Sequence, residues 1–214
     1  MSKVTINIDG KELEAETGQT VFEVALANNI YIPHLCHYPE LASRGQCRLC
    51  LVETSGGELI TSCRLPVIAG MIIKTKTEKV DKAIRPTVEM LIAYHHETCR
   101  GCPALGKCKL QTIMSHLKID RRRVRRLRPP PAKKPTDKMT FRFEYDPNRC
   151  VLCGICINTC EDLHKTSLLY YIGRGHEMKV AFYGDEQKCE SCLKCIERCP
   201  VGALVLNKSV ATKS

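Results

Sequence analysis

Fifteen cysteines in 214 residues, with no tryptophan, put the chemistry of this chain in its thiols. Thiolates are soft donors that select iron–sulfur clusters or zinc over hard cations, and their spacing helps separate the two. Cys150, Cys153, Cys156 and Cys160 follow C-x2-C-x2-C-x3-C, and Cys189, Cys192, Cys195 and Cys199 repeat the run 39 residues later, ending in Pro200. In runs of this spacing the fourth cysteine of each block serves the cluster of the other. Two crossed sets follow. Cys150, Cys153 and Cys156 join Cys199 around one [4Fe-4S] cubane, and Cys189, Cys192 and Cys195 join Cys160 around a second. Zinc prefers two separated C-x2-C knuckles around a tetrahedron, whereas three cysteines three apart suit a cubane corner.

Upstream, Cys36, Cys47, Cys50 and Cys63 are spaced C-x10-C-x2-C-x12-C. The short C-x2-C and the distant last cysteine approach the plant-type [2Fe-2S] pattern. The first gap is six residues longer, and spacing alone leaves zinc open. Cys99, Cys102 and Cys108 make only three ligands. His95 lies one helical turn before Cys99 and can add an imidazole, with His96 as the competing donor. Fifteen cysteines and one histidine then complete four sets of four. An imidazole in place of a thiolate leaves a cluster less negative, which raises its potential. His34 and His37, flanking Cys36, fill no such deficit and read as packing residues.

The elements that must hold these ligands read as an α+β chain of three modules and a linker. In residues 1–77, VTINI and KELEAE flank Asp9-Gly10, a hairpin signal. Thr20 then caps VFEVALANN, whose apolar residues fall at helical spacing. With the strands CLVET, ELITSC and GMIIKTK, this predicts a half-barrel of strands wrapped on one helix. Residues 78–120 read as helical at both ends, with Pro86 predicting a kink or a helix start. Residues 121–140 are basic and proline-rich, and residues 141–214 carry the duplicated cysteine blocks.

The segment RRRVRRLRPPPAKKPTDKMT holds nine Lys/Arg and one Asp, a local +8 of the whole chain's +10. It has no aromatic residue to stack on a base, and its prolines favour extended backbone. It therefore reads as a solvated linker or a subunit-docking strap in preference to a nucleic-acid arm. A zinc-stabilised nucleic-acid-binding protein is the remote alternative. The N-terminus MSKVTINIDG has no charged-then-apolar leader. The longest apolar stretch, near Val67–Ile73, falls far short of the roughly 20 residues that span a bilayer. A cytoplasmic protein without a transmembrane segment is expected, in a compartment where disulfides are rare. No G-x-G-x-x-G follows a strand, so neither NAD nor flavin is expected on this chain.

The segments PHLCHYPELASRGQCRLCLVET, HHETCRGCPALGKCKLQ and DPNRCVLCGICINTCEDL resemble the iron–sulfur region of the large subunit of respiratory complex I. They are similar also to the N-terminal part of multi-cluster [FeFe] hydrogenases. Over residues 3–208 the chain resembles the small diaphorase iron–sulfur subunit of bidirectional NAD-linked [NiFe] hydrogenases, with relatives in electron-bifurcating hydrogenases and formate dehydrogenases. The resemblance implies a β-grasp [2Fe-2S] domain on Cys36, Cys47, Cys50 and Cys63. It implies a small helical domain with a [4Fe-4S] cluster on His95, Cys99, Cys102 and Cys108, and a two-cluster ferredoxin-like domain on the crossed sets. It assigns the imidazole to His95 and favours [2Fe-2S] over zinc.

The implied role is an electron-transfer subunit without its own catalytic centre. It would relay single electrons between an NAD(P)H-binding flavoprotein and a hydrogenase or other terminal redox subunit. A thioredoxin-like [2Fe-2S] subunit and, in bifurcating complexes, soluble ferredoxin are further implied partners. In the resembling complexes the histidine-ligated and [2Fe-2S] clusters lie towards the flavoprotein. Pro86 and the basic linker depart from the family pattern.

Overall fold

Alternating apolar residues build the first sheet of the computed structural model, which describes residues 2–95, 99–128, 134–189 and 192–207. Strands β1 (Lys3–Ile8) and β2 (Lys11–Glu16) pair antiparallel through the two-residue turn Asp9-Gly10. Both turn residues have positive φ, 53° and 84°, which is the backbone of a tight hairpin and the reason glycine stands second. β3 (Leu51–Thr54), β4 (Leu59–Thr61) and β5 (Ile72–Lys74) complete a five-stranded sheet in the order β2-β1-β5-β3-β4. Only β1 and β5 run parallel.

Helix α1 (Val21–Ala27) starts at a capping box, in which the Thr20 hydroxyl takes the Glu23 N–H and the Glu23 carboxylate takes the Thr20 N–H. The two bonds satisfy donors that a helix start otherwise leaves open. Val21, Phe22, Val24 and Ala25 enter one core with Ile6, Ile8, Val52 and Ile73, as the expected half-barrel on one helix requires. Each such buried aliphatic side chain contributes about 1.5–3 kcal/mol. Cys50 and Cys63 belong to the same core, so a ligand loop is anchored in the packing of the sheet.

Helix α2 (Glu78–Tyr94) is continuous across Pro86, where the sequence predicts a kink or a helix start. Val80, Ile84, Val88 and Ile92 recur every fourth residue and are all buried, while Pro86 is exposed. Burial of that stripe outweighs the hydrogen bond that Pro86 removes. α3 (Lys109–His116) follows the cysteine loop.

The linker also differs from expectation. Arg121–Arg126 forms a short helix, α4, with Val124 fully buried. Arginine is a good helix former, and one apolar residue suffices to seat a turn and a half. Pro129, Pro130 and Pro131 lie outside the described residues, and the chain resumes as β6 (Asp137–Lys138).

β7 (Phe143–Tyr145) pairs antiparallel with β6 and with β10 (Leu204–Leu206). Between them lie α5 (Ile155–His164), the hairpin β8 (Leu169–Ile172) with β9 (Lys179–Phe182), and α6 (Lys194–Glu197). The chain divides into two compact units, 1–37 with 43–90 and 112–120, and 38–42 with 91–111 and 121–214. The expected middle module of residues 78–120 is therefore shared between them. No described helix is long and apolar enough to cross a membrane.

Candidate iron–sulfur centres

In the duplicated blocks, left-handed residues turn the chain before each ligand-bearing helix: Gly154 (φ 75°) before α5 and Leu193 (φ 46°) at the equivalent place before α6. α5 carries Cys156 and Cys160 on successive turns. One small cavity is lined by Cys150, Cys153, Cys156 and Cys199. A second is lined by Cys160, Cys189, Cys192 and Cys195. The structure brings these thiols together in two groups of four.

Burial raises Cys156 well above the ordinary thiol pKa, with Cys153 and Cys150 next in effect. It lifts Cys195 to about 12 and Cys189 to about 11, reinforced by the neighbouring sulfurs. Protons held this tightly are displaced by metal binding, since the thiolate is the ligand. Backbone N–H groups already point at the sulfurs. Leu152 donates to Cys150 at 3.4 Å, Ala203 to Cys199 at 3.2 Å and Leu168 to Cys160 at 3.2 Å. Donors of this kind tune a cluster through its ligands.

Cys36, Cys47, Cys50 and Cys63 lie between α1 and β4 and just beyond it. The Cys47 N–H approaches the Cys36 sulfur at 3.5 Å, and the Leu35 N–H approaches the Cys47 sulfur at 3.5 Å. Cys36 and Cys47 interact as one pair and Cys50 and Cys63 as another: the side-chain contact with its partner lowers the thiol pKa of Cys47 and of Cys63, while the same contact and burial raise those of Cys36 and Cys50. His34 and His37 pack against the Phe22 ring, at 4.9 and 4.6 Å between centroids, which is the packing role expected of them.

In the third set, Cys99 and Cys102 are joined by a turn in which the Cys102 N–H bonds the Cys99 carbonyl at 3.1 Å. Cys108 is buried immediately before α3. Burial raises its pKa, opposed by N–H bonds from Gln111 and Leu110 at the helix start and reinforced by the nearby sulfurs of Cys102 and Cys99. His95 continues the last turn of α2, its N–H bonding Leu91 at 3.0 Å. His96 and the rest of the link to Cys99 lie outside the described residues. The Pro103-Ala104 segment packs on Gly202, where an added Cβ would meet Ala104 N at 3.0 Å.

Two residues of this region carry no motif. Tyr145 lines the first cavity and is 1% exposed, and Gly202 takes φ +67° against the cysteine loop. Phe143-Glu144-Tyr145 shows only strand alternation, and its relation to the cysteines exists only once β7 pairs with β10. The chemistry of the donors fits iron–sulfur clusters. Thiols stand in fours around two cavities, and backbone N–H groups point at their sulfurs.

A five-stranded sheet with a four-cysteine loop, followed by a duplicated four-cysteine module, defines an iron–sulfur protein with [2Fe-2S]- and [4Fe-4S]-binding domains. Three family descriptions match in chain order. They are a 2Fe-2S iron-sulfur cluster binding domain over residues 1–78, an NADH-ubiquinone oxidoreductase-G iron-sulfur binding region over 85–123, and the ferredoxin-like domain of NADH-quinone oxidoreductase subunit 3 over 142–205. The chain belongs to the family of iron–sulfur proteins shared by NADH-quinone oxidoreductases and NAD(P)-linked hydrogenases.

The crystal structure of an NAD+-reducing [NiFe]-hydrogenase in the H2-reduced state contains a chain 31% identical to this one, with a TM-score of 0.82. The match covers 99% of this chain and 90% of that one. The 78 kDa subunit of mitochondrial NADH-ubiquinone oxidoreductase from Candida albicans is 31% identical over 208 residues, 95% of this chain and 28% of that protein. The NADP-reducing hydrogenase subunit HndD of Solidesulfovibrio fructosivorans is 31% identical over 230 residues, 96% of this chain and 36% of that protein. The chain thus spans about a quarter to a third of the curated relatives it matches.

Proposed function

We propose that this chain is an electron conduit carrying one [2Fe-2S] and three [4Fe-4S] clusters. The [2Fe-2S] cluster is assigned to a β-grasp module on Cys36, Cys47, Cys50 and Cys63. The cubanes are assigned to His95 with Cys99, Cys102 and Cys108, to Cys150 with Cys153, Cys156 and Cys199, and to Cys160 with Cys189, Cys192 and Cys195. The observation that carries this reading is the pair of four-cysteine cavities reached from one helix, α5. Two complete thiol sets served by one helix give electrons a short path from one to the other.

The clusters, when bound, supply one-electron storage and transfer. The chain's own part is to hold each sulfur, exclude water from it and aim N–H donors at it, which sets each potential. The relay runs between an NAD(P)H-oxidising flavoprotein subunit and a hydrogenase or related redox subunit. The Arg-rich α4 segment serves as a docking strap towards such partners. The working compartment is the cytoplasm.

Mixing the iron-loaded chain with NADH, with and without an NADH-oxidising flavin diaphorase, tests the relay. The visible absorbance should bleach only when the flavoprotein is present. Bleaching by NADH alone would place a nicotinamide site on this chain and overturn the conduit role.

A further inference from the structure

Between Cys156 and Cys160, helix α5 buries two polar side chains, Asn158 and Thr159. Asn158 lines neither thiol cavity, whereas Thr159 lines that of Cys160, Cys189, Cys192 and Cys195. Thr159 is 1% exposed, and its Oγ1, fully buried, has no hydrogen-bond partner among the described residues. That is unusual inside a helix, where a threonine ordinarily returns its hydroxyl to the carbonyl three or four residues earlier. The carbonyls of Cys156 and Ile155 stand at those places in α5, and the Thr159 hydroxyl bonds neither.

A buried hydroxyl without an acceptor forfeits the bonds that water gave it, which is why buried hydroxyls are found paired. The cavity offers this one sulfur. Its four thiols share the lining with the apolar Phe143, Leu169 and Leu193 and with His164, which is partly exposed. The Cys160 sulfur already takes the Leu168 N–H at 3.2 Å, so the wall that holds Thr159 is one that presents donors to sulfur.

We infer that the Thr159 hydroxyl is a hydrogen-bond donor to a sulfur of the cluster in the Cys160 cavity and raises the midpoint potential of that cluster. The inference rests on the reading that this cavity holds a [4Fe-4S] cluster. A donor on sulfur stabilises the extra negative charge of the reduced state more than the oxidised one, so its loss lowers the potential.

Redox titration followed by low-temperature EPR, on the iron-loaded chain, on Thr159→Val and on Thr159→Ser, tests this. Valine keeps the shape of the side chain without the hydroxyl, and serine keeps the hydroxyl without the methyl. The expected result is a lower midpoint in Thr159→Val for the cubane whose signal Cys195→Ser alters, and a midpoint restored to that of the unmutated chain in Thr159→Ser. The cubane that Cys150→Ser alters should not move in either variant. An unmoved Cys195 cubane in Thr159→Val, equal shifts in both cubanes, or a shift that Thr159→Ser shares overturns the inference while leaving the cluster assignment standing. Should Thr159→Val fail to hold that cubane, Thr159→Ser decides. A cubane kept at the unmutated midpoint supports the hydroxyl, and one lost or shifted shows that the methyl packs the site and overturns the inference. Absence of sulfide from the unmutated chain refutes the cluster reading itself and this inference with it.

Discussion

Cys156 and Cys160 stand one turn apart on α5, yet they line different cavities. The helix is short and its N-terminal turn sits between the two thiol sets, so successive turns serve successive sites. α6 repeats the arrangement with Cys195 on one cavity and Cys199, just past its end, on the other.

This crossing makes the effect of a ligand change non-local in sequence. Cys199→Ser should perturb or abolish the cubane of Cys150, Cys153 and Cys156 and spare the one held by its own block. EPR of the reduced variant reads this directly, and selective loss of the Cys189, Cys192 and Cys195 signal would sink the assignment.

The third cubane is assigned one neutral ligand. His95→Cys adds a thiolate and therefore a negative charge, so the cluster should survive with a lower midpoint potential. His96→Ala should leave it where it was. A cluster lost in the His96 variant and retained in a His95→Ala variant would transfer the role to the neighbouring histidine.

Gly202 combines a left-handed backbone with a close approach to the cysteine loop, Ala104 N lying 3.0 Å and Ala104 Cβ 3.1 Å from where a Cβ would stand. Gly202→Ala should cost on the order of 1–3 kcal/mol. The loop between Cys102 and Cys108 takes the strain. The expected outcome is a lowered thermal midpoint with cluster loss beginning at the His95 set, followed by absorbance during heating. A midpoint equal to that of the unmutated chain would show that the loop yields without cost.

Iron removal should unfold much of the chain. Cys36, Cys50 and Cys63 are at most 5% exposed, and two of these belong to the core of the five-stranded sheet. Without metal their loop loses what draws four sulfurs together. Circular dichroism after chelation should show loss of secondary structure that returns on reconstitution. Near-native spectra and thermal stability of the iron-free chain would count against this.

The grouping of the thiols in the duplicated module was legible because a repeated spacing on a repeated loop and helix brings the same four cysteines to each cavity. The hairpin at Asp9-Gly10 and the Thr20 helix cap were legible because both are made by residues within four of each other; the reciprocal Glu23 bond came with the structure. The α4 helix was not. Charge and proline dominate that segment's composition, while its structure depends on the burial of Val124, a fact of tertiary packing. The same holds for α2. A proline in the pattern argues for a kink or a helix start, and the burial of Ile84 and Val88 on either side keeps one helix across it.

The most direct measurement of the central claim is iron and acid-labile sulfide per chain on anaerobically purified protein. One [2Fe-2S] and three [4Fe-4S] clusters predict about 14 of each. Stepwise reduction should show one [2Fe-2S] EPR signal that persists at higher temperature than those of the cubanes. Colourless protein holding zinc and no sulfide would contradict the account.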